Sequence, residues 1–136
     1  MPELPELEIL RRDLDREVGE RKVKTVEVPV AGVAKHPAKK GLIAALEGAK
    51  FSGVTRRGML LLFGVEGTHL LVMSLGDRSR LLRAAAKDEV APGTALILTF
   101  TQGGQLRLID PKKEASVEFM PAEELEERHP ELASLG

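Results

Sequence analysis

Leu7, Leu10, Leu14 and Val18 recur three and four residues apart, which places them on one face of a helix, while Arg11, Arg12, Asp13, Asp15 and Arg16 fall on the other. Pro5 suits a first helical turn, where its missing N–H is no loss, and Gly19 is a natural stop. The spacing therefore predicts an amphipathic helix over 5–18. The run from Val23 to Val28 favours β structure and stops near Pro29, as a first strand should. Residues 31–37, with Gly32, Lys35, His36 and Pro37, read as a loop, and Lys39 to Leu46 as a second short helix closed by Gly48.

From Lys50 the pattern changes to short aliphatic runs, 50–57, 59–65 and 68–74, punctuated by glycine and by the turn Glu66-Gly67. Antiparallel pairing is the natural solution. A hairpin follows, with Ala95 to Thr101 and Gln105 to Ile109 joined across Gly103-Gly104, and Ala115 to Met120 adds a last strand. Pro121 opens an acidic helical turn, and regular structure fades into His129-Pro130-Glu131. Two helices and about seven to eight strands in this order predict an α+β chain, mainly β: an antiparallel β-sandwich flanked by the N-terminal helix and the second short helix. At 136 residues it is read as one domain, 1–136.

Composition narrows the classes. The apolar 43% is almost entirely aliphatic, since aromatics make up 3%, so the core must be Leu, Val and Ile. No segment approaches the roughly 18 apolar residues of a membrane span, and the acidic, proline-containing start is unlike a signal peptide, so a cytoplasmic location and no membrane partner are expected. The absence of cysteine excludes disulfides and thiolate-bound zinc, and His36, His69 and His129 are scattered without metal-ligand spacing. No metal and no other cofactor is expected in this chain. The net charge of −1 conceals a division: residues 121–136 carry −4 and residues 1–120 carry +3. Any face for phosphate must come from local clusters, and Lys22, Lys24, Lys35, Lys39, Lys40 and Lys50 read as solvated surface.

The opening Met1-Pro2-Glu3-Leu4-Pro5-Glu6 has the prolines and carboxylates of a well-built helix start. Its position adds chemistry. Removal of Met1 leaves Pro2 as a secondary amine, and a helix N-terminus lowers the pKa of such a group from its usual value of about 8. An amine of this kind can attack C1′ of a nucleotide and form an iminium. Glu3 is placed to protonate the sugar ring oxygen, and Glu6, one turn on, to assist proton movements or hold the amine.

The string Pro2-Glu3-Leu4-Pro5-Glu6, followed by Glu8 and Arg11-Arg12, resembles the signature opening of the N-terminal catalytic domain of the formamidopyrimidine-DNA glycosylase and endonuclease VIII family. Arg56-Arg57-Gly58, Ser74-Leu75-Gly76 and Leu106-Arg107-Leu108-Ile109-Asp110-Pro111-Lys112-Lys113 fall in family order at family-like spacing, and Leu135-Gly136 looks like the sequence before the interdomain linker. The resemblance spans the chain. It implies Pro2 as nucleophile, Glu3 as acid, excision of an oxidised base and cleavage of the abasic strand in base excision repair. It further implies a monomer acting on double-stranded DNA with a damaged base or abasic site, nucleoid-associated when bound.

The resemblance also places Arg56, Arg57, Arg78, Arg80, Arg83, Lys112 and Lys113 near the DNA-facing loops. The family's helix-two-turns-helix part, and any zinc finger, lie outside this chain. Four places depart from the family pattern: Met59 stands for a phosphate-reaching lysine, Ser74 for a histidine, Asp77 for a gap-filling methionine, and Lys112-Lys113-Glu114 for two arginines and an aromatic wedge. These departures leave a second reading open, a catalytically impaired paralogue serving as a DNA-binding or scaffold module.

Overall fold

The computed structural model describes residues 4–134. Helix α1 (Leu4–Val18) leads to strand β1 (Val23–Glu27), a short strand β2 (Ala34–His36) and helix α2 (Lys39–Leu46). Three strands follow in succession, β3 (Phe51–Arg57), β4 (Leu60–Val65) and β5 (His69–Ser74), then β6 (Arg80–Ala84), β7 (Thr94–Phe100), β8 (Gln105–Ile109) and β9 (Ser116–Pro121). A one-turn helix α3 (Leu125–Arg128) lies near the end. The strands form two sheets, β1-β7-β8-β6 and β2-β9-β5-β4-β3, antiparallel throughout except for β2 on β9. This is the mainly β, two-sheet α+β fold the sequence predicts.

Strand β4 shows why its apolar run is unbroken. Successive side chains of a strand point to opposite faces. Leu61, Phe63 and Val65 enter the main core, while Leu60 and Leu62 join a second cluster with Val72, Met120, Leu125 and Leu132. The main core gathers Phe51, Phe63 and Phe100, with ring centroids 5.3 and 6.0 Å apart, among leucines of both sheets. The second cluster lies under residues 122–134. That segment therefore packs instead of fading, and its carbonyl at Leu132 accepts a hydrogen bond from Arg57.

Two strands escape the sequence pattern. Strand β2 has three residues and exists only because β9 accepts it in parallel, a partner far away in sequence. Strand β6, Arg80-Leu81-Leu82-Arg83-Ala84, lacks the alternation of a half-buried strand and is held by its pairing to β8. The described residues thus form nine strands, against the seven to eight expected.

Strand β3 is an edge of its sheet, and α1 covers it. Leu7, Leu14 and Val18 bury the helix's apolar face. Arg11 and Asp15, which border that stripe and read as solvated from the sequence, take up free backbone groups of the strand: the Asp15 carboxylate accepts the Val54 N–H at 2.8 Å and Arg11 donates to the Val54 carbonyl at 3.4 Å. An open sheet edge is a template for unwanted pairing, and this one is occupied.

Candidate nucleic-acid site at one end of the sandwich

Strand register decides which loops meet. Arg57 opposes Leu60, Leu60 opposes Ser74, and Ser74 opposes Ser116. In the other sheet Arg80 and Thr94 both oppose Ile109. The 58–59 turn, the 75–79 loop and the 110–115 loop therefore gather at one end of the sandwich. Helix α1 runs with Asp15 beside Val54 and Glu8 beside Arg56, so its N-terminus points to the same end.

The helix is fixed there by Glu8. Its Oε1 accepts from Arg56 Nε at 3.0 Å, and its Oε2 accepts from Arg11 Nη2 at 2.7 Å and from Arg12 Nε at 3.2 Å. The hydrogen bond from Arg11, then that from Arg56, lowers the Glu8 pKa from the ordinary 4.5 to about 2, and Arg11 is raised in return, first by its bond to Glu8. Arg56 also donates to the Gly58 carbonyl at 2.7 Å. One arginine thus joins the helix, strand β3 and the turn after it.

The two loops beside the helix are joined by a buried carboxylate. Asp110, 5% exposed, accepts the Ser79 hydroxyl at 2.9 Å and the Glu114 N–H at 3.0 Å on Oδ1, and the Ala115 N–H at 3.0 Å on Oδ2. The Ser79 oxygen in turn accepts the Gly76 N–H at 2.8 Å, and Glu114 Oε1 accepts the Arg78 N–H at 3.3 Å. Gly76 packs so closely on Glu114 that a side chain there would collide with Glu114 Cβ. The 75–79 and 110–115 loops behave as one braced unit, with Asp77, Arg78, Lys112, Lys113 and Glu114 exposed on it.

A third segment supports that unit. Arg107, 3% exposed, donates to Gln105 Oε1 and to the carbonyls of Ala85, Asp88 and Glu89, all within 2.9–3.1 Å. The 85–93 segment so pinned returns a carbonyl at Gly93 to the Asp110 N–H at 2.9 Å, and Gly93, at φ +85°, lies against Pro111. The buried arginine is a fork matched to backbone oxygens, a task that lysine cannot take over.

Of the residues singled out from the sequence, Glu6 lies exposed on the first turn of α1, while Pro2 and Glu3, like Leu135 and Gly136, fall outside the described residues. Arg56, Arg57, Arg78, Arg80, Lys112 and Lys113 come together at this end. Arg78, Arg80, Lys112 and Lys113 are exposed there, whereas Arg56 is engaged by Glu8, and Arg57 by Glu126 at 3.0 Å and the Leu132 carbonyl. Met59 is half-buried against the core. Lys35, read as plain surface, lines the same cleft of about 120 Å³ as Lys113 and Asp110. Among the described residues no cluster of three His, Asp or Glu side chains is arranged to hold a metal.

Glu8, Ser79, Asp110 and Arg107 do not stand out as site residues in the sequence. Glu8 carried a local signal, for Arg11 and Arg12 stand three and four positions after it on one helical face. The others act across strands, and nothing in their neighbours announces it.

A family model described as the formamidopyrimidine-DNA glycosylase N-terminal domain matches residues 1–117. A formamidopyrimidine-DNA glycosylase of Moorella thermoacetica is 32% identical over 136 residues, covering 100% of this chain and 49% of that protein. One from Burkholderia cenocepacia is 35% identical over 138 residues, covering 50% of its own length. Among solved structures, Lactococcus lactis Fpg in complex with FAPY-dG-containing DNA superposes with a TM-score of 0.89 at 23% identity, over 95% of this chain and 48% of that one. The same protein bound to DNA with an abasic site gives 0.90 at 23% identity, over 96% and 47%. At that identity the superpositions establish the fold. The chain spans about half the length of the curated relatives it matches. On its matched sequence and its two-sheet architecture, the chain belongs to the family of formamidopyrimidine-DNA glycosylase N-terminal domains.

Proposed function

We propose that this chain is the catalytic half of a DNA glycosylase and abasic-site lyase of base excision repair, acting in the cytoplasm on DNA that carries an oxidised base or an abasic site. The observation that carries the reading is the meeting of α1's N-terminus with four exposed cationic side chains, Arg78, Arg80, Lys112 and Lys113, at one end of the sandwich. A strand held by its phosphates at those cations passes the start of α1, where a Met-free Pro2 offers its amine. Arg56 serves this arrangement as a helix clamp through Glu8. Arg57, tied to the 122–134 segment, holds the domain's closing segment in place.

The chemistry balances with the residues in these roles. The Pro2 nitrogen forms a bond to C1′ as the base departs with the electrons of its glycosidic bond and takes up a proton. Glu3 delivers a proton to the ring oxygen as the C1′–O bond opens, which leaves an iminium between Pro2 and the sugar. Loss of a C2′ proton then expels the 3′ phosphate, with Glu6 near enough by sequence to assist the transfer. Hydrolysis returns the amine. Any zinc finger belongs to a part of a longer protein, and no step here calls for one.

Borohydride reduction tests the reading, since it fixes the iminium as a stable amine. Met-free protein mixed with abasic-site DNA is expected to give a covalent adduct, and Pro2→Gly to lose most of it. Glu3→Gln is expected to slow base excision more than trapping at a preformed abasic site. Absence of an adduct from Met-free full-length protein would overturn the lyase reading.

A further inference from the structure

The closing segment, 122–134, is held to the outer face of the five-stranded sheet by two kinds of contact. Leu125 and Leu132 pack with Leu60, Leu62, Val72 and Met120, an attachment that pH does not touch. The other is a charged cluster around Glu118 of β9, 9% exposed and on the same face of its strand as Met120. A buried carboxylate is costly unless it is paired. Both partners of Glu118 come from the closing segment: His129 Nε2 lies 2.5 Å from Oε1, and Arg128 Nε lies 3.5 Å from Oε2.

His129 stands out because both of its ring nitrogens face carboxylates. Its Nδ1 lies 3.4 Å from Oε2 of Glu131, on the turn that follows α3. A neutral imidazole carries one proton and turns a lone pair outward at its other nitrogen, so it can donate to one carboxylate and repels the second. The imidazolium donates to both. In the charged form two carboxylates face two cations; loss of the proton leaves the cluster with an excess negative charge around the buried Glu118. Other nearby charges do not make up for that proton. Arg128 is charged at every pH, Glu126 is paired with Arg57, and His36 of β2 stands opposite Glu118 in the strand register. The ring is also tied to the apolar anchors, since the His129 N–H donates to the Leu125 carbonyl at 2.8 Å and its own carbonyl accepts the Leu132 N–H at 3.0 Å.

We propose that His129 is a proton-operated latch for the closing segment. Charged, it clasps Glu118 and Glu131 and keeps 122–134 on the sheet; neutral, it lets the segment open locally. A base that gains carboxylate partners on docking supports the closed form on the acid side, and that support is withdrawn as pH rises through the range of about 5–8 in which histidine titrates. Opening uncovers the apolar face of Leu60 and Leu62, and Arg57 loses Glu126 and the Leu132 carbonyl together. The latch belongs to the domain itself and stands apart from the lyase reading.

Amide hydrogen exchange of the full-length protein tests it, each rate being divided by the intrinsic rate at the same pH to give a protection factor. Between about pH 5.5 and pH 8 the protection of residues 125–132 should fall at least about tenfold, while that of β4 and β5 stays constant. His129→Gln, which takes up no proton, should give a protection factor independent of pH. If that variant leaves the segment unprotected at every pH, Glu131→Gln decides, because it removes the acceptor facing Nδ1 and should shrink the pH response. Protection independent of pH in the unsubstituted protein, a pH response that survives in His129→Gln, or an undiminished response in Glu131→Gln would overturn the proposal.

Discussion

Replacing Asp110 with alanine removes the acceptor that joins two loops, and the cost can be worked from its bonds. The carboxylate accepts one hydroxyl and two backbone N–H groups at 2.9–3.0 Å and is 5% exposed. Hydrogen bonds to a charged group contribute about 1.5–3 kcal/mol each, and a buried donor left unmet costs about 1–3 kcal/mol. The Ser79 hydroxyl can turn elsewhere and the Glu114 N–H lies near solvent, whereas the Ala115 N–H is buried. Release of a desolvated carboxylate offsets part of the loss. The net expectation is a destabilisation of about 3–5 kcal/mol, read as a lower urea midpoint at unchanged slope. Asp110→Asn keeps one oxygen and should lose about half as much. Affinity for abasic-site DNA should fall as well, since Lys112 and Lys113 lose the turn that presents them. A loss below about 1 kcal/mol for Asp110→Ala would refute the brace, because the bonds would then carry no net stability.

Three further outcomes follow from the same geometry. The Glu8 pKa lies near 2 in the folded protein against an ordinary 4.5, so its contribution to stability is complete above about pH 4.5 and is lost as pH falls toward 2; in urea unfolding the deficit of Glu8→Gln relative to the unsubstituted protein should shrink across that window, and a constant deficit would contradict the clamp. Arg107→Met deprives three carbonyls of the 85–93 segment of their donor, and trypsin should cut after Lys87 faster by about an order of magnitude, with an unchanged rate counting against the pin. Gly76→Ala forces the loops apart and should cost about 1–3 kcal/mol; Glu114→Gly, which removes the colliding atom, should restore most of it, and failure of that rescue would place the strain elsewhere.

The legible part of the fold is the part written in local periodicity. Leu7, Leu14 and Val18 announce α1, and the glycine-broken aliphatic runs announce the central strands. Strand β2 is invisible because its three residues owe their conformation to β9, and β6 because its arginines obscure alternation. The closing segment looked like a tail for a similar reason: its anchors, Leu125 and Leu132, meet a sheet face built from residues 60–72, which a reading along the chain cannot supply. At the site, residue type and resemblance located the cations, but they did not show how the cations are used. The resemblance places Arg56 and Arg57 near the DNA-facing loops, yet each has a carboxylate partner in the folded chain that only tertiary structure reveals. Asp110 passed as one letter of a motif, and its role as the hub of two loops came from strand register.

The proposed chemistry turns on the amine of Pro2 as the nucleophile. It is tested most directly by digesting the borohydride-trapped complex and locating the nucleotide-bearing peptide by mass. The sugar remnant is expected on the N-terminal peptide, attached to Pro2 of a chain that has lost Met1. A remnant on a lysine such as Lys112 or Lys113, or an adduct formed by protein that retains Met1, would contradict it.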